Sequence, residues 1–249
     1  MTTIHLKKCH LSRIFWRSFL IQGSWTFKGL IAIGFCFSLI PVAKCLYRDQ
    51  KKRREFLLRH LEFFNSHPYY SSYALGAVAK LEQDALLKNW DNLNSIATFK
   101  KRMVSILGVI GDRMFWDEIK PLTSGIGFVL AVLLGWVALP IYLLIYNLAH
   151  FYVRIQGLRR GFKGGFDVVS CLSMRRYQKY FNITTVLGCF VAGVAVVVVS
   201  RFHTNFYDIN PTILFLSAAV ALILLLLQRS MLFVLAVVSL LSIGLGFIF

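Results

Sequence analysis

The sequence predicts an all-α, polytopic integral membrane protein, and three observations support this fold class. Hydrophobic residues make up 57% of the 249 residues and charged residues only 16%, too few to cover an ordinary soluble surface. The apolar residues gather in long runs, and about 20 such residues suffice to cross a bilayer. Basic residues that give a formal net charge of +17 flank these runs, as is typical of cytoplasmic membrane ends.

The strongest apolar runs lie in the second part of the chain and predict its membrane segments: residues 122–149, 183–200, 212–227 and 231–249. Only a Gln-Arg-Ser linker separates the last two runs, which predicts a C-terminal transmembrane hairpin. We therefore divide the chain near residue 121, into a basic helical region (1–121) and a transmembrane helical region (122–249).

The basic region contains 19 Lys or Arg residues and nine Asp or Glu residues. Residues 13–22 mix apolar and basic side chains, which predicts an N-terminal amphipathic helix in the membrane interface, with Trp16 and Trp25 at headgroup depth. Residues 30–43 are apolar but too short to span, and Pro41 interrupts their end. We expect a partly inserted or re-entrant segment there.

A basic cluster follows at residues 48–56, with the sequence "RDQKKRREF". It suits anionic lipid headgroups, and an ordinary solvated helix face explains it nearly as well. A basic chain can also bind nucleic acid, but here the positive charge flanks apolar segments. We therefore expect a membrane partner and no nucleic acid.

The run at residues 122–149 is too long for one upright helix. Its glycines and Pro140 predict either a tilted helix kinked at Pro140 or two half-helices that fold back. Residues 150–182 contain seven Lys or Arg and one Asp, so they should be cytoplasmic, while 201–211 suit the outside. A single crossing at 122–149 would leave the basic N-terminal region outside. Re-entry of this run, or a crossing by residues 30–43, removes that conflict.

Motifs for catalysis and metal binding are missing from the sequence. There is no Gly-x-Ser-x-Gly elbow, no His-Glu-x-x-His pair and no P-loop, so we expect no enzyme activity from this chain on its own. The five cysteines include no Cys-x-x-Cys pair and the six histidines are scattered. We therefore predict no metal site, no cofactor and no disulfide framework.

Two polar stretches can contact a ligand. In "FFNSHPYY", Asn65 and His67 precede Pro68, and an amide offers both a donor and an acceptor to a hydroxyl. In "GVIGDRMFWDEI", Asp112 lies close to Trp116, and a carboxylate beside an aromatic ring is suited to a sugar. Structural roles stay open for all of them: a closed turn at residues 65–68, a helix cap at Asp112 and an interface anchor at Trp116.

Four ordered stretches resemble the membrane subunit IID of the mannose/fructose/sorbose-type sugar phosphotransferase system (PTS). They cover roughly residues 11–170 and are "IFWRSFLIQGSW" (14–25), "RHLEFFNSHPY" (59–69), "GVIGDRMFW" with "KPLTSGIG" (108–127) and "YNLAHFYVRIQGLRRGFKGGFD" (146–167). Four motifs in the family's order are far more specific than any one alone.

The resemblance implies a multi-pass permease subunit of the bacterial inner (plasma) membrane. A IID subunit pairs with a IIC subunit in an oligomeric complex that conducts a hexose-type sugar, while cytoplasmic IIA and IIB components pass the phosphoryl group to it. IID is not phosphorylated, so His67 is not expected to accept a phosphoryl group. The implied sugar-binding candidates are Asn65, His67, Asp112 and Trp116, with Gln22 and Trp25 as weaker ones.

The chain also departs from the family pattern. The family usually continues from the first motif with a polar stretch, and residues 26–31 read "TFKGLI" instead, with Lys28 in place of part of that polar set. The family's Gly-Asp-Ser becomes Gly-Asp-Arg, which places Arg113 beside Asp112. These departures support an alternative hypothesis, a diverged IID-like membrane scaffold or regulator without transport activity.

Overall fold

The computed structural model describes residues 5–90 and 92–202, together with residues 216, 219, 220, 237 and 240. The main elements of this part are helices, which confirms the all-α class: α1 (Lys8–Arg17), α2 (Ala32–Leu46), α3 (Gln50–His60), α4 (Ser71–Leu87), α5 (Asn94–Asp112), α6 (Lys120–Leu134), α7 (Ala138–Gly164), α8 (Val168–Cys171) and α9 (Met174–Phe202). The predicted hairpin of residues 212–227 and 231–249 lies outside the described residues except for those single positions, as does most of the loop 201–211.

The chain forms two compact units, Met1–Ala192 and Gly193–Phe249. In the first unit, α5 continues through a π-helical segment, Arg113–Ile119, directly into α6. The backbone is therefore helical across residue 121. The division near that position stays a prediction about how the chain is arranged in the membrane.

Helix α1 begins well before residue 13, where the amphipathic pattern starts. The ring nitrogen Nδ1 of His10 accepts a hydrogen bond from the backbone N–H of Lys7 at 3.0 Å, which satisfies a free donor at the start of the helix. A 3₁₀ turn at Ser18–Leu20 follows the helix. Ile14 is fully buried and Trp16 is 64% exposed, so the helix has one face in the protein and one outside it.

Helix α2 contains Pro41 and is nevertheless continuous. Because proline has no N–H, the carbonyl of Phe37 lacks its usual helical donor. Nη1 of Arg17 donates to that carbonyl at 3.3 Å, and the guanidinium lies 4.4 Å from the centre of the Phe37 ring. Phe35 and Leu39 on the opposite side are fully buried in protein. Burial in the core thus accounts for the apolar composition of α2, and its insertion into the membrane stays a prediction.

Helices α4 and α7 approach closely through glycines. A Cβ on Gly157 would lie 2.7 Å from the ring of Tyr73, and one on Gly161 would collide with the Tyr73 carbonyl. On the other helix, a Cβ on Gly76 would collide with the carbonyl of Leu158. Glycines spaced by four residues lie on one helix face, an arrangement that lets membrane helices pack backbone to backbone. This contact fixes α4, which follows the candidate site, against α7.

The run at residues 122–149 folds back on itself, which is one of its two predicted arrangements. Gly135 has φ +60° and ψ −136°, a conformation that glycine adopts readily, and the chain reverses there. Helices α6 and α7 then lie side by side, and Tyr142 occupies the space beside Gly127. Pro140 lies in the first turn of α7, where proline is tolerated. The break therefore occurs at Gly135, and the expectation of a kink at Pro140 is wrong.

Among the described residues, two helical stretches are long and apolar enough to cross a membrane by length and composition, Asn94–Cys171 and Met174–Val198. The first contains the reversal in front of α7. Large apolar side chains along both stretches are exposed in the isolated chain, among them Leu139, Leu148 and Phe190. A continuous apolar surface of this kind requires lipid or another membrane protein to cover it.

Candidate functional site

A tight loop connects Trp25 to the turn that contains Asn65. Thr26 and Leu30 exchange backbone hydrogen bonds of 3.3 and 2.8 Å, and Leu30 has a left-handed φ of +51°. Phe64 exchanges backbone hydrogen bonds of 3.3 and 3.1 Å with the far side of this loop. These bonds bring Trp25 and Asn65, which are far apart in the sequence, to the same part of the fold.

Serine hydroxyls close the turn at His67. The His67 carbonyl accepts hydrogen bonds from the backbone N–H and the hydroxyl of Ser71, at 2.9 and 3.0 Å. The hydroxyl of Ser66 lies 2.7 Å from that of Ser71. The N–H of Tyr69 is 3.4 Å from Nδ1 of His67, which assigns the ring hydrogen to Nε2. The sequence suggests that the Asn65 amide closes this turn, but in the structure the hydroxyls of Ser66 and Ser71 do so.

Helix α5 reaches the His67 ring because Gly111 has no side chain: a Cβ there would collide with Cβ of His67. The Phe115 ring stacks on His67, with centroids 5.0 Å apart and planes 19° apart. Phe115 lies in the π-helical segment Arg113–Ile119, and π-helical turns recur at functional sites. This segment carries Trp116, whose ring centroid is 5.5 Å from that of His67.

A surface cavity of about 420 Å³ lies where the loop, the turn and α5 meet. Its lining includes all six candidates from the sequence together with six further residues: Gln22, Trp25, Asn65, His67, Asp112 and Trp116, then Ser66, Pro68, Val104, Ser105, Gly108 and Val109. The structure therefore brings together every predicted site residue. That these residues bind a sugar stays a prediction.

The cavity combines aromatic surface with hydrogen-bonding groups. Trp25 is 56% and Trp116 43% exposed, and the Lys120 ammonium lies 4.9 Å from the centre of the Trp116 ring. Gln22 and Asn65 are exposed amides that both donate and accept, and the exposed Asp112 carboxylate accepts from hydroxyls. An indole can stack on the CH face of a sugar ring while amides and a carboxylate bind its hydroxyls.

His67 is only 2% exposed, so a phosphoryl-carrier protein has no access to its ring. Burial, with a smaller contribution from the nearby Arg154 guanidinium, lowers the pKa of His67 to about 3. The imidazole is therefore neutral at physiological pH. Its Nε2 has no hydrogen-bond partner among the described residues, although a buried N–H is costly to leave unpaired.

Several lining residues were missed by the sequence interpretation, yet their spacing contains a signal. Ser105, Gly108 and Asp112 are three and four residues apart and so lie on one face of α5. Helical periodicity applied backward from Asp112 would have found them. Ser66 belongs to no such periodic pattern, because it lies in the turn before α4, where its hydroxyl contacts that of Ser71.

Arg154 supports the site from behind. It is 3% exposed, and its Nη1 donates to the carbonyl and hydroxyl of Ser18 at 2.7 and 2.9 Å. Its guanidinium lies over the rings of Phe19 and Tyr69, at 4.7 and 5.1 Å. These contacts join α7 to the end of α1 and to the His67 turn. Arg154 forms no ion pair within the described part of the chain.

Arg113 lies away from the cavity. Its guanidinium is 4.4 Å from the centre of the Phe181 ring on α9, and it is absent from the cavity lining. The neighbouring Glu118 accepts hydrogen bonds from the hydroxyls of Thr184 and Thr185, which also join the π-helical segment to α9. The concern that Arg113 inserts positive charge beside Asp112 is therefore not supported by the geometry.

The comparison with protein families identifies the chain. The model of the PTS system mannose/fructose/sorbose family IID component matches residues 5–248. The chain belongs to this IID family. The recognition made from the four motifs is confirmed, and this IID chain is a membrane component of a mannose/fructose/sorbose-family PTS.

Curated relatives agree. This IID chain is 30% identical over 192 residues to the PTS system mannose-specific EIID component of Escherichia coli (strain K12), covering 77% of this chain and 68% of that protein. It is 32% identical to the fructose permease IID component of Bacillus subtilis (strain 168), covering 77% and 70%. It is also 30% identical to the sorbose-specific EIID component of Klebsiella pneumoniae, covering 75% and 68%.

Two solved structures share the fold. One, described only as a membrane protein, has a TM-score of 0.70 and 30% identity, and the match covers 77% of this chain and 70% of that chain. The other is a cryo-EM structure of the mannose transporter ManYZ in complex with microcin E492. It has a TM-score of 0.62 and 28% identity, covering 83% of this chain and 73% of that chain.

Proposed function

We propose that this IID chain and a IIC subunit together form the sugar-translocating unit of a mannose-type permease. The likeness to the mannose transporter ManYZ supports a partner of this kind. The unit would be a multi-pass, oligomeric complex of the bacterial inner membrane. Cytoplasmic IIA and IIB components would phosphorylate a hexose-type sugar, and the IID chain would have no catalytic role of its own.

One observation supports the site more than any other: the six candidates chosen from three separate stretches line a single cavity. In this proposal the indoles of Trp25 and Trp116 contact the sugar ring. Gln22, Asn65 and Asp112 bind its hydroxyls on the path or at the border with the IIC subunit. The neutral, buried His67 positions the turn.

The test is uptake of a labelled hexose by cells in which Asp112→Asn replaces the wild-type chain. We expect a loss of at least ten-fold, roughly the effect of one or two lost hydrogen bonds to a charged group. Asp117→Asn is the matched control, because Asp117 is an exposed carboxylate in the same π-helical segment and does not line the cavity. Equal uptake in both variants at equal protein levels would reject the site.

The alternative, a scaffold without transport, rests on the departures at residues 26–31 and at Arg113. The comparisons do not favour it, and the Phe181 contact explains Arg113 without reference to the cavity. Measuring uptake in wild-type cells decides between the two. A chain that associates with a IIC subunit, supports no uptake and gains none from Lys28→Glu would be a scaffold.

Anionic lipid is the second proposed partner of the basic region. On α3, Lys51, Lys52 and Arg54 are exposed, and the Asp49 side chain caps the helix by accepting from the N–H groups of Lys51 and Lys52. Because the Asp49 carboxylate binds these backbone N–H groups, the exposed basic side chains of α3 stay available to solvent or to a membrane surface. Such a face attracts an anionic membrane surface at about 1 kcal/mol per basic residue.

A further inference from the structure

A second cavity, of about 610 Å³, lies in the first unit between α4, α7 and α9. It shares no lining residue with the candidate sugar site. Its size is in the range of small-molecule sites. The lining combines apolar residues and tyrosines with two arginines, Arg160 and Arg176.

One face of α7 lines the cavity and changes from apolar to basic along its length. Ala149, Val153, Gln156 and Arg160 follow one another at three- and four-residue intervals, so they form a stripe. The stripe is about 16 Å long, since a helix rises about 1.5 Å per residue. The apolar and charged ends of the cavity are therefore about 16 Å apart, a distance that part of an acyl chain can cover.

The residues of α9 that line the cavity change from basic to apolar along the chain, the opposite order to those of α7. It contributes Arg176 near its start, then Tyr180, and then Ile183 one turn further along. Met114 and Ile119 add apolar surface. A cavity with a cationic part and an apolar part fits an amphiphile with an anionic head.

The two arginines carry charge that no carboxylate of the described residues balances, and Arg160 also hydrogen-bonds to the Tyr73 hydroxyl. Neither Arg160 nor Arg176 forms an ion pair with a carboxylate in the part of the chain that the structure describes. Both are exposed, so an external anion can reach them. Arg160 also belongs to the segment 150–182, whose basic excess predicts a cytoplasmic location, where anionic lipid is available.

We propose that this cavity binds one anionic phospholipid. Its phosphate lies between Arg160 and Arg176, and one acyl chain extends along Met114, Ile119 and Ile183. A bidentate guanidinium suits a phosphate, and the apolar lining selects a lipid over free phosphate. The site is distinct from the basic face of α3, where Arg54 lines a separate cavity of about 600 Å³ together with Ile40 and Leu57.

The test measures retention of dioleoylphosphatidylglycerol by the full-length chain, extracted with its membrane partners, by native mass spectrometry during lipid titration. Arg160→Gln with Arg176→Gln is compared with Arg159→Gln with Arg175→Gln. The control pair has the same change in charge and involves exposed neighbours that do not line the cavity. We expect affinity to fall roughly five-fold for each cavity arginine removed and to stay unchanged in the control.

A second pair of variants tests the acyl part with all charges intact. Ile183→Trp fills the apolar end, whereas Val186→Trp changes a 69% exposed residue of α9 outside the cavity. Only Ile183→Trp should reduce retention. Equal losses in the two arginine pairs, equal retention of dioleoylphosphatidylcholine, or displacement of the lipid by glycerol phosphate alone would each overturn the proposal. Sugar uptake does not enter this readout, so its outcome is independent of the proposed transport function.

Discussion

Glu82 is a fully buried carboxylate whose charge is balanced inside the fold. Nη2 of Arg59 lies 2.9 Å from one of its oxygens, and Nε2 of His60 lies 2.9 Å from the other. Burial acts to raise the pKa of Glu82, but the hydrogen bonds from His60 and Arg59 and the charge of Arg59 hold it below its usual range. Burial also lowers the pKa of His60, which is therefore neutral. The cluster joins α3 to α4, the helix that follows the site.

Replacing Glu82 by Gln should destabilise the protein by about 3 kcal/mol, because it leaves the Arg59 charge without its buried partner. The measurement is the midpoint of thermal unfolding in detergent. Glu55→Gln is the control, since Glu55 is an exposed carboxylate on α3 that forms no ion pair within the described residues. If the two variants unfold at the same temperature, the cluster does not stabilise the fold.

The low pKa of His67 makes stability dependent on pH. Its folded pKa of about 3 is below the ordinary value of 6.5, so between these values the unfolded chain binds a proton that the folded protein excludes. The stabilisation is complete above pH 6.5 and is lost at about 1.4 kcal/mol per pH unit as the pH falls toward 3.

Unfolding midpoints at neutral pH and near pH 5 test this dependence. Wild type should lose about 2 kcal/mol more over that interval than His67→Gln. His60 contributes in the same sense in both proteins, so the difference between them isolates His67. Asn65→Gln, in the same turn, should keep the wild-type dependence. A His67→Gln variant that is as acid-sensitive as wild type would contradict a neutral, buried ring.

At the scale of elements, the sequence predicts helices and their apolar character well and predicts their ends poorly. The reversal inside residues 122–149 was one of two predicted arrangements, and its position at Gly135 could not be read because Pro140 is the stronger local signal. Helix α2 resembles a membrane segment in composition and is a core helix in the structure. The position of the reversal and the burial of α2 both depend on tertiary contacts, which cannot be predicted from composition alone.

The close packing of α4 on α7 gives a prediction for one glycine. Gly161→Leu would push a side chain into the Tyr73 backbone, which cannot move as a flexible side chain can. We expect a loss of roughly 3 kcal/mol and reduced accumulation in membranes. Gly188→Leu on α9 is the matched control, because a Cβ added at Gly188 would meet no atom within 4 Å among the described residues. Detergent unfolding midpoints and membrane levels that match between the variants would count against backbone-to-backbone packing.

At the scale of the whole molecule, the site was more predictable than the path of the chain. Asn65, His67 and Asp112 stand out because polar residues are scarce in an apolar sequence, and Trp116 stands out as an aromatic residue close to Asp112. The sequence does not predict that these residues lie near Trp25, because that proximity depends on backbone hydrogen bonds between a short loop and Phe64. The family resemblance supplied the order of the motifs, and the fold supplied their proximity.

The reversal at Gly135 predicts that the segment ahead of α5 and the end of α7 lie on the same side of the membrane. The helix ahead of Gly135 continues back into α5, but its apolar part starts only after Lys120, within the 15 residues of α6. A helix of 15 residues extends about 22 Å, less than the roughly 30 Å hydrocarbon core. We therefore expect a re-entrant hairpin that returns the chain to the side from which it came. Lys88, ahead of α5, and Lys163, at the end of α7, should then face the same compartment, which removes the conflict in the charge distribution.

Single cysteines in a cysteine-free chain test this arrangement in intact cells. Lys88→Cys and Lys163→Cys should both react with a membrane-permeant maleimide and resist an impermeant one, as cytoplasmic sites do. Trp136→Cys, at the 85% exposed tip of the hairpin, should also resist the impermeant reagent because the tip ends within the membrane. Reaction of Trp136→Cys from outside would show two full crossings. Opposite accessibility of the two lysine positions would show a single crossing and contradict the reversal.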